Sequence, residues 1–200
     1  MSTVSQKTLR MVELALLAAI IIVLQQIVIP LPGGLTLSLV LVPIVVGAVL
    51  FGPAAGAGLG AVFGAVVTFL VITGRAGDLS TMMWLANPVM TVLVCMLKGT
   101  AAGFAAGLLA KAFKKKSFVG ILLAAAAAPI VNTGIFLLGI LTCFSNVVTA
   151  FAEKIGMGGE TLIYFAVVIL VGVNFLVEFA ANLVLSPTIS SIVKAVRKTR

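Results

Sequence analysis

The sequence predicts an all-α membrane protein with six transmembrane helices and both termini in the cytoplasm. Three observations predict it. Hydrophobic residues make up 62% of the 200 positions and charged residues 9%, against roughly 25% charged in soluble chains, and the mean hydropathy is +1.33. The apolar residues fall into long runs separated by glycine, proline and charge. The basic residues also gather at alternate ends of those runs, as the positive-inside rule requires of cytoplasmic loops.

The first helix is expected over about 9–29, ended by Pro30, Pro32, Gly33 and Gly34. Its apolar run, 11–30, is longer than a signal-peptide core and lacks a small-x-small cleavage site, so it reads as a retained span. The second helix is expected over 36–51, short for a span, followed by a tight turn at Phe51, Gly52 and Pro53. The third covers 53–72, and 73–85 reads as a loop containing Arg75, Asp78 and Trp84. A fourth covers 87–112, with Pro88 suited to a first helical position. A fifth covers 118–141 and a sixth 161–193, the last part as a cytoplasmic extension. Pro43 and Pro129 read either as kinks or as packing accidents. No polar stretch is long enough for a soluble domain, so residues 1–200 read as a single integral membrane domain.

The net charge of +8 does not point to nucleic acid, because of where the charges sit. Lys7 and Arg10, then Lys111, Lys114, Lys115 and Lys116, then Lys194, Arg197, Lys198 and Arg200 flank one set of helix ends. The opposite set holds Arg75 and Lys154. Cys95 and Cys143 lie in or beside apolar segments and read as small hydrophobes rather than a disulfide.

Glycine recurs at every fourth position through Gly52, Gly56, Gly60 and Gly64, and again through Gly99, Gly103 and Gly107. In lipid, helices associate through close backbone approach, so these stripes predict tight packing within the bundle. Ala15 and Ala19 form a small-xxx-small pair in the first helix, a flat face that could receive a helix of another subunit.

One basic residue remains. Lys98 stands in the apolar run LVCMLKGTAAG, ten residues beyond Pro88, about 15 Å at helical rise. An ionised side chain at such depth costs about 2.5–3.5 kcal/mol unless it faces protein or a cavity. Asn174, Glu178 and Asn182 share one face of the sixth helix. Asn132 and Thr133 lie half way along the fifth, Gln25 and Gln26 near the outer end of the first, and Asn87 and Thr91 above Lys98. One interior polar region open to the outside would hold them all, with Trp84 and Phe144 as apolar caps. Lys98 and Glu178 then either form a buried ion pair or receive a ligand, with Lys98 taking its anionic group.

The chain has no histidine and five carboxylates, of which Glu178 is deep, and it contains no G-x-x-x-x-G-K-[ST] motif. It reads as a binder without cofactor or metal, not as an enzyme.

Four segments together resemble a known family. LVPIVVGAVLFGPAAGAGLGAVFGAVV (41–67), VLVCMLKGTAAGFAAGLL (92–109), APIVNTGIFLLGIL (128–141) and NFLVEFAANLVLSP (174–187) are similar to the substrate-binding S components of energy-coupling factor (ECF) vitamin transporters. The resemblance implies six helices in the bacterial cytoplasmic membrane and a vitamin or precursor bound near the outer face. It also implies a membrane partner (the T component), two ATPase subunits, and delivery by toppling of the loaded S component in the bilayer. It carries substrate contacts onto Lys98, Asn132, Asn174 and Glu178, beside Gln25, Thr91 and Trp84 from the polar region above, and the T-component contact onto Ala15 and Ala19. A carboxylate-bearing ligand suits Lys98, and the lysine-plus-amide pattern looks most like the pantothenate-type members. Folate, nicotinate, lipoate and riboflavin fit the same electrostatics less selectively. The rival expectation is a small ion- or proton-coupled secondary transporter using a Lys98–Glu178 pair; a membrane subunit without a ligand is a third.

Overall fold

The computed structural model describes residues 6–27, 29–31, 35–37, 39–113 and 117–198. Pro32, Gly33 and Gly34, the run Lys114, Lys115 and Lys116, and Arg200 lie outside the described residues. The described chain is helical except for one short pair of strands. Among the described residues, five helices are long and apolar enough to cross a membrane.

α1 (Gln6–Gln26) ends earlier than expected, and β1 (Ile29–Leu31) pairs antiparallel with β2 (Leu35–Leu37), Ile29 opposite Leu37 and Leu31 opposite Leu35. Pro30 cannot donate to a helix and holds its predecessor extended, which favours strand over helix here. The helix expected from residue 36 therefore begins only with α2 (Leu41–Phe51). Pro43 falls in its first turn, where no intrahelical N–H bond is required, and so it introduces no kink. At about 1.5 Å per residue these 11 residues are too short to cross a bilayer.

Gly52, at φ 92°, turns the chain into α3 (Pro53–Ile72), whose first residue is the expected proline. α3 packs most extensively against α5 (Pro88–Ala112), antiparallel and through glycine. A Cβ on Gly56, Gly60 or Gly64 would strike the carbonyl of Gly103, Gly99 or Cys95 respectively, and one on Gly107 would strike Pro53. The two stripes read from the sequence thus meet each other. Asn87 caps α5 by accepting a bond from the Met90 N–H at 3.1 Å.

The loop expected over 73–85 instead contains α4 (Asp78–Ala86), and α7 (Ser145–Lys154) follows α6 (Ser117–Cys143). These two short helices pack together, joined by an ion pair of 2.6 Å between Lys154 and Asp78. Both are too short and too polar to register as spans, and tertiary contact holds them in helical form. The last span, Leu162–Val184, starts as α8 (Leu162–Tyr164), widens into a π-helical stretch (Phe165–Gly172) and resumes as α9 (Val173–Val184). The extension expected to be continuous through residue 193 is a separate helix, α10 (Ser186–Lys198), broken off where Pro187 lacks the N–H to continue α9.

Two apolar clusters hold the bundle. One joins Ile44, Val45, Leu59, Phe63, Ala125 and Ile189 from α2, α3, α6 and α10. The other joins Met83, Val94, Ile140, Phe144, Val148 and Phe165. Phe144, expected as a cap over the polar region, is in fact central to this second cluster and 2% exposed. Arg10 donates to the Phe51 carbonyl at 3.5 Å, so the N-terminal end of α1 lies beside the α2–α3 turn, at the same end as Gly107 and the last turn of α5.

Candidate binding cavity

Side chains from both clusters line a cavity of about 510 Å³, among them Phe63 and Val67 on α3 and Phe136 and Leu170 on the other side. Its volume lies within the roughly 300–1,000 Å³ of small-molecule sites.

Much of the polar lining comes from the long helices. α5 contributes Lys98, α6 Asn132 and Thr133, α9 Asn174 and Glu178, and α1 Gln25. Glycine explains how Lys98 reaches this position. Contact of Gly99 with Gly60 draws α5 onto α3, and the Lys98 ammonium then lies 5.8 Å from the centre of the Phe63 ring and 5.0 Å from that of Phe136. Ring faces attract a cation by about 0.5–2 kcal/mol, more where water is excluded. No direct ion pair joins Lys98 to Glu178 among the described residues. Glu178 is 7% exposed.

Three amide oxygens at the cavity, Gln25 Oε1, Asn132 Oδ1 and Asn174 Oδ1, are buried with no hydrogen-bond partner among the described residues. Leaving such an acceptor unmade costs about 1–3 kcal/mol. Asn182, one turn beyond Glu178, is buried and tied to its own helix: its amide donates to the Glu178 carbonyl at 2.9 Å.

Five of the seven residues grouped from the sequence line this cavity: Lys98, Asn132, Glu178, Asn174 and Gln25. Thr91 and Trp84 do not. The Thr91 hydroxyl donates to the Asn87 carbonyl at 2.9 Å, so it is spent on the preceding turn of its own helix. Trp84 is half-buried on α4 and packs against the first apolar cluster. Ala15 and Ala19 are far from burial, exposed on α1 beside Met11, Val12 and Leu16.

Arg75 and Ser80 on the lining, and the aromatic pair around Lys98, were not legible as site residues in the sequence. Arg75 carried one available signal, a cation between Gly74 and Gly77 at the end of the bundle where the polar residues open. With Lys98, Arg75 and Glu178, the ionisable lining comprises two cations and one carboxylate.

A family model described as "ECF transporter, substrate-specific component" matches residues 9–190. No curated protein matches the chain, and no solved structure does.

Proposed function

We infer, for a chain that belongs to the substrate-specific components of ECF transporters, that it captures a small carboxylate-bearing vitamin or precursor, with pantothenate the first choice. Membership makes it a membrane protein and a substrate-binding subunit in transport. The proposal concerns what it binds and how it delivers it.

The observation that carries the choice is the cavity's chemistry. Three unpartnered acceptors call for a ligand with several N–H or O–H donors, and two cations against one carboxylate leave a single positive charge to be met. Pantothenate has one carboxylate, one amide N–H and two hydroxyls, and its geminal methyl groups suit Phe63, Val67 and Leu170. Nicotinate and lipoate bring the charge without the donors. Riboflavin brings hydroxyls without the charge, and folate brings a second carboxylate. Lys98, Asn132, Glu178, Asn174 and Gln25 are the substrate contacts in this reading.

The basic end of the bundle faces the cytoplasm and the cavity opens outward, with six crossings in one membrane domain of the bacterial cytoplasmic membrane. α2 makes the short second crossing together with the hairpin that precedes it. Exposed Ala15 and Ala19 form the face on α1 that meets the T component, through which two ATPases drive the toppling that releases the vitamin inside. Native mass spectrometry of the purified protein tests the ligand class. A retained or added pantothenate ion is expected. Indifference to pantothenate, with a different molecule retained, overturns the choice.

A further inference from the structure

Arg75 sits where it does because of how α3 ends. Its N–H donates to the Leu70 carbonyl at 2.8 Å, and the Gly74 N–H donates to the Val71 carbonyl at 3.0 Å. Gly74 has φ 69°. This pair of bonds around a left-handed glycine is a Schellman ending, with Arg75 as the residue just after it. Gly77, at φ 91°, turns the chain again into α4. The strap between the two glycines is thereby set across one end of the cavity, and Arg75, Ala76 and Gly77 all line it.

α3 serves as a ruler between the two cations. The Lys98 ammonium lies at the Phe63 ring, and the helix continues from there to Ile72 before Arg75, about 14 Å further at helical rise. Lys98 and Arg75 thus reach the cavity from different elements, α5 and the turn after α3, and their surroundings differ. Lys98 already has two ring faces as company. The Arg75 guanidinium has neither a hydrogen bond nor an ion pair among the described residues. Asn132 and Asn174, which need donors, lie on the helices that carry Phe136 and Glu178.

We propose that Arg75 is the specificity-determining residue for the ligand's carboxylate, which it holds at the strap end while the donor-bearing end of the molecule lies deep, against Asn132, Asn174 and Lys98. The planar guanidinium fork matches a carboxylate in a way that an ammonium does not. Lys98 then sets the depth of the cavity and balances Glu178 rather than choosing the charge of the guest. This rests on the reading that the cavity takes a carboxylate-bearing vitamin.

The test is calorimetric titration of the full-length protein in nanodiscs with pantothenate and with panthenol, its neutral analogue ending in an alcohol. Wild type should prefer pantothenate. Arg75→Gln should weaken pantothenate about 10- to 100-fold, the range of a charged hydrogen bond, and leave panthenol within about twofold, so that the preference collapses. Arg75→Lys should fall between. Lys98→Gln should weaken both ligands by a similar factor. Pantothenate, and not panthenol, should also protect Arg75 of the wild-type protein from phenylglyoxal, read by peptide mass mapping.

If Arg75→Gln keeps the wild-type preference, or lowers only the melting temperature of the ligand-free protein, Arg75 is a helix-end charge and the proposal is wrong. A preference that vanishes in Lys98→Gln instead puts the carboxylate at Lys98, again against the proposal, with the cavity reading intact. Wild-type protein that binds neither compound overturns the cavity reading itself, and the role of Arg75 with it.

Discussion

Gly60 on α3 and Gly99 on α5 approach so closely that a Cβ on either would collide with the carbonyl group of the other. Lys98 is the next residue along from this contact, so the side chain that gives the cavity its deep charge is positioned by two residues that have no side chain. The packing of α3 on α5 and the placement of Lys98 are coupled at this point.

Gly60→Ala and Gly99→Ala should both push the helices apart, with an overpacking cost of about 1–3 kcal/mol. We expect a lower melting temperature and weaker ligand binding in the same variants. Gly58→Ala is the control, because a Cβ there meets nothing within 4 Å; it should leave both quantities unchanged or raise stability slightly. Equal behaviour of Gly58 and Gly60 variants in thermal melts would contradict the glycine seam.

Removing the ammonium takes away its contacts with the Phe63 and Phe136 ring faces, each worth about 0.5–2 kcal/mol. Lys98→Ala should therefore melt earlier and lose measurable pantothenate binding. Wild-type affinity by titration would remove Lys98 from the site.

The unpartnered amides separate a binding role from a structural one. Asn132→Ala removes a buried acceptor that has no partner among the described residues, so the ligand-free melting temperature should hold or rise. Affinity should fall, the lost bond being worth about 0.5–1.5 kcal/mol. A destabilised empty protein with unchanged affinity would mean that this amide serves the bundle alone.

Ala15→Trp and Ala19→Trp fill the flat face of α1 without entering the core, since both positions are exposed. Co-purification with the T component and ATPases should fail, while titration of the isolated variant with pantothenate gives the wild-type curve. Intact assembly would move the docking face elsewhere.

Much of the cavity was legible because charge and amides are costly in lipid. Lys98, Asn132, Asn174 and Glu178 stood out for that reason, and α9 keeps Asn174 and Glu178 on one face as regular helical spacing demands. Thr91 lies off the cavity lining, its hydroxyl bonded to its own helix, which spacing cannot reveal. Trp84 also lies off the lining, since an aromatic near a loop can pack on a core as readily as over a cavity. The short helices α4 and α7 and the π-helical stretch were invisible in a hydropathy pattern that registers only long apolar runs.

The sequence by itself determined the solvent of this protein, the limits of α3 and α5, and the glycine stripes along them, since burial in lipid imposes length, composition and small residues at helix contacts. Only the tertiary structure decided that the stripes face each other, that Lys98 rests between two rings rather than on Glu178, and that a glycine-turned strap carries Arg75 to the cavity. Those are relations between segments far apart in the chain. They arise from how closely backbones can approach and from which buried groups are left without a partner, and no local pattern encodes either.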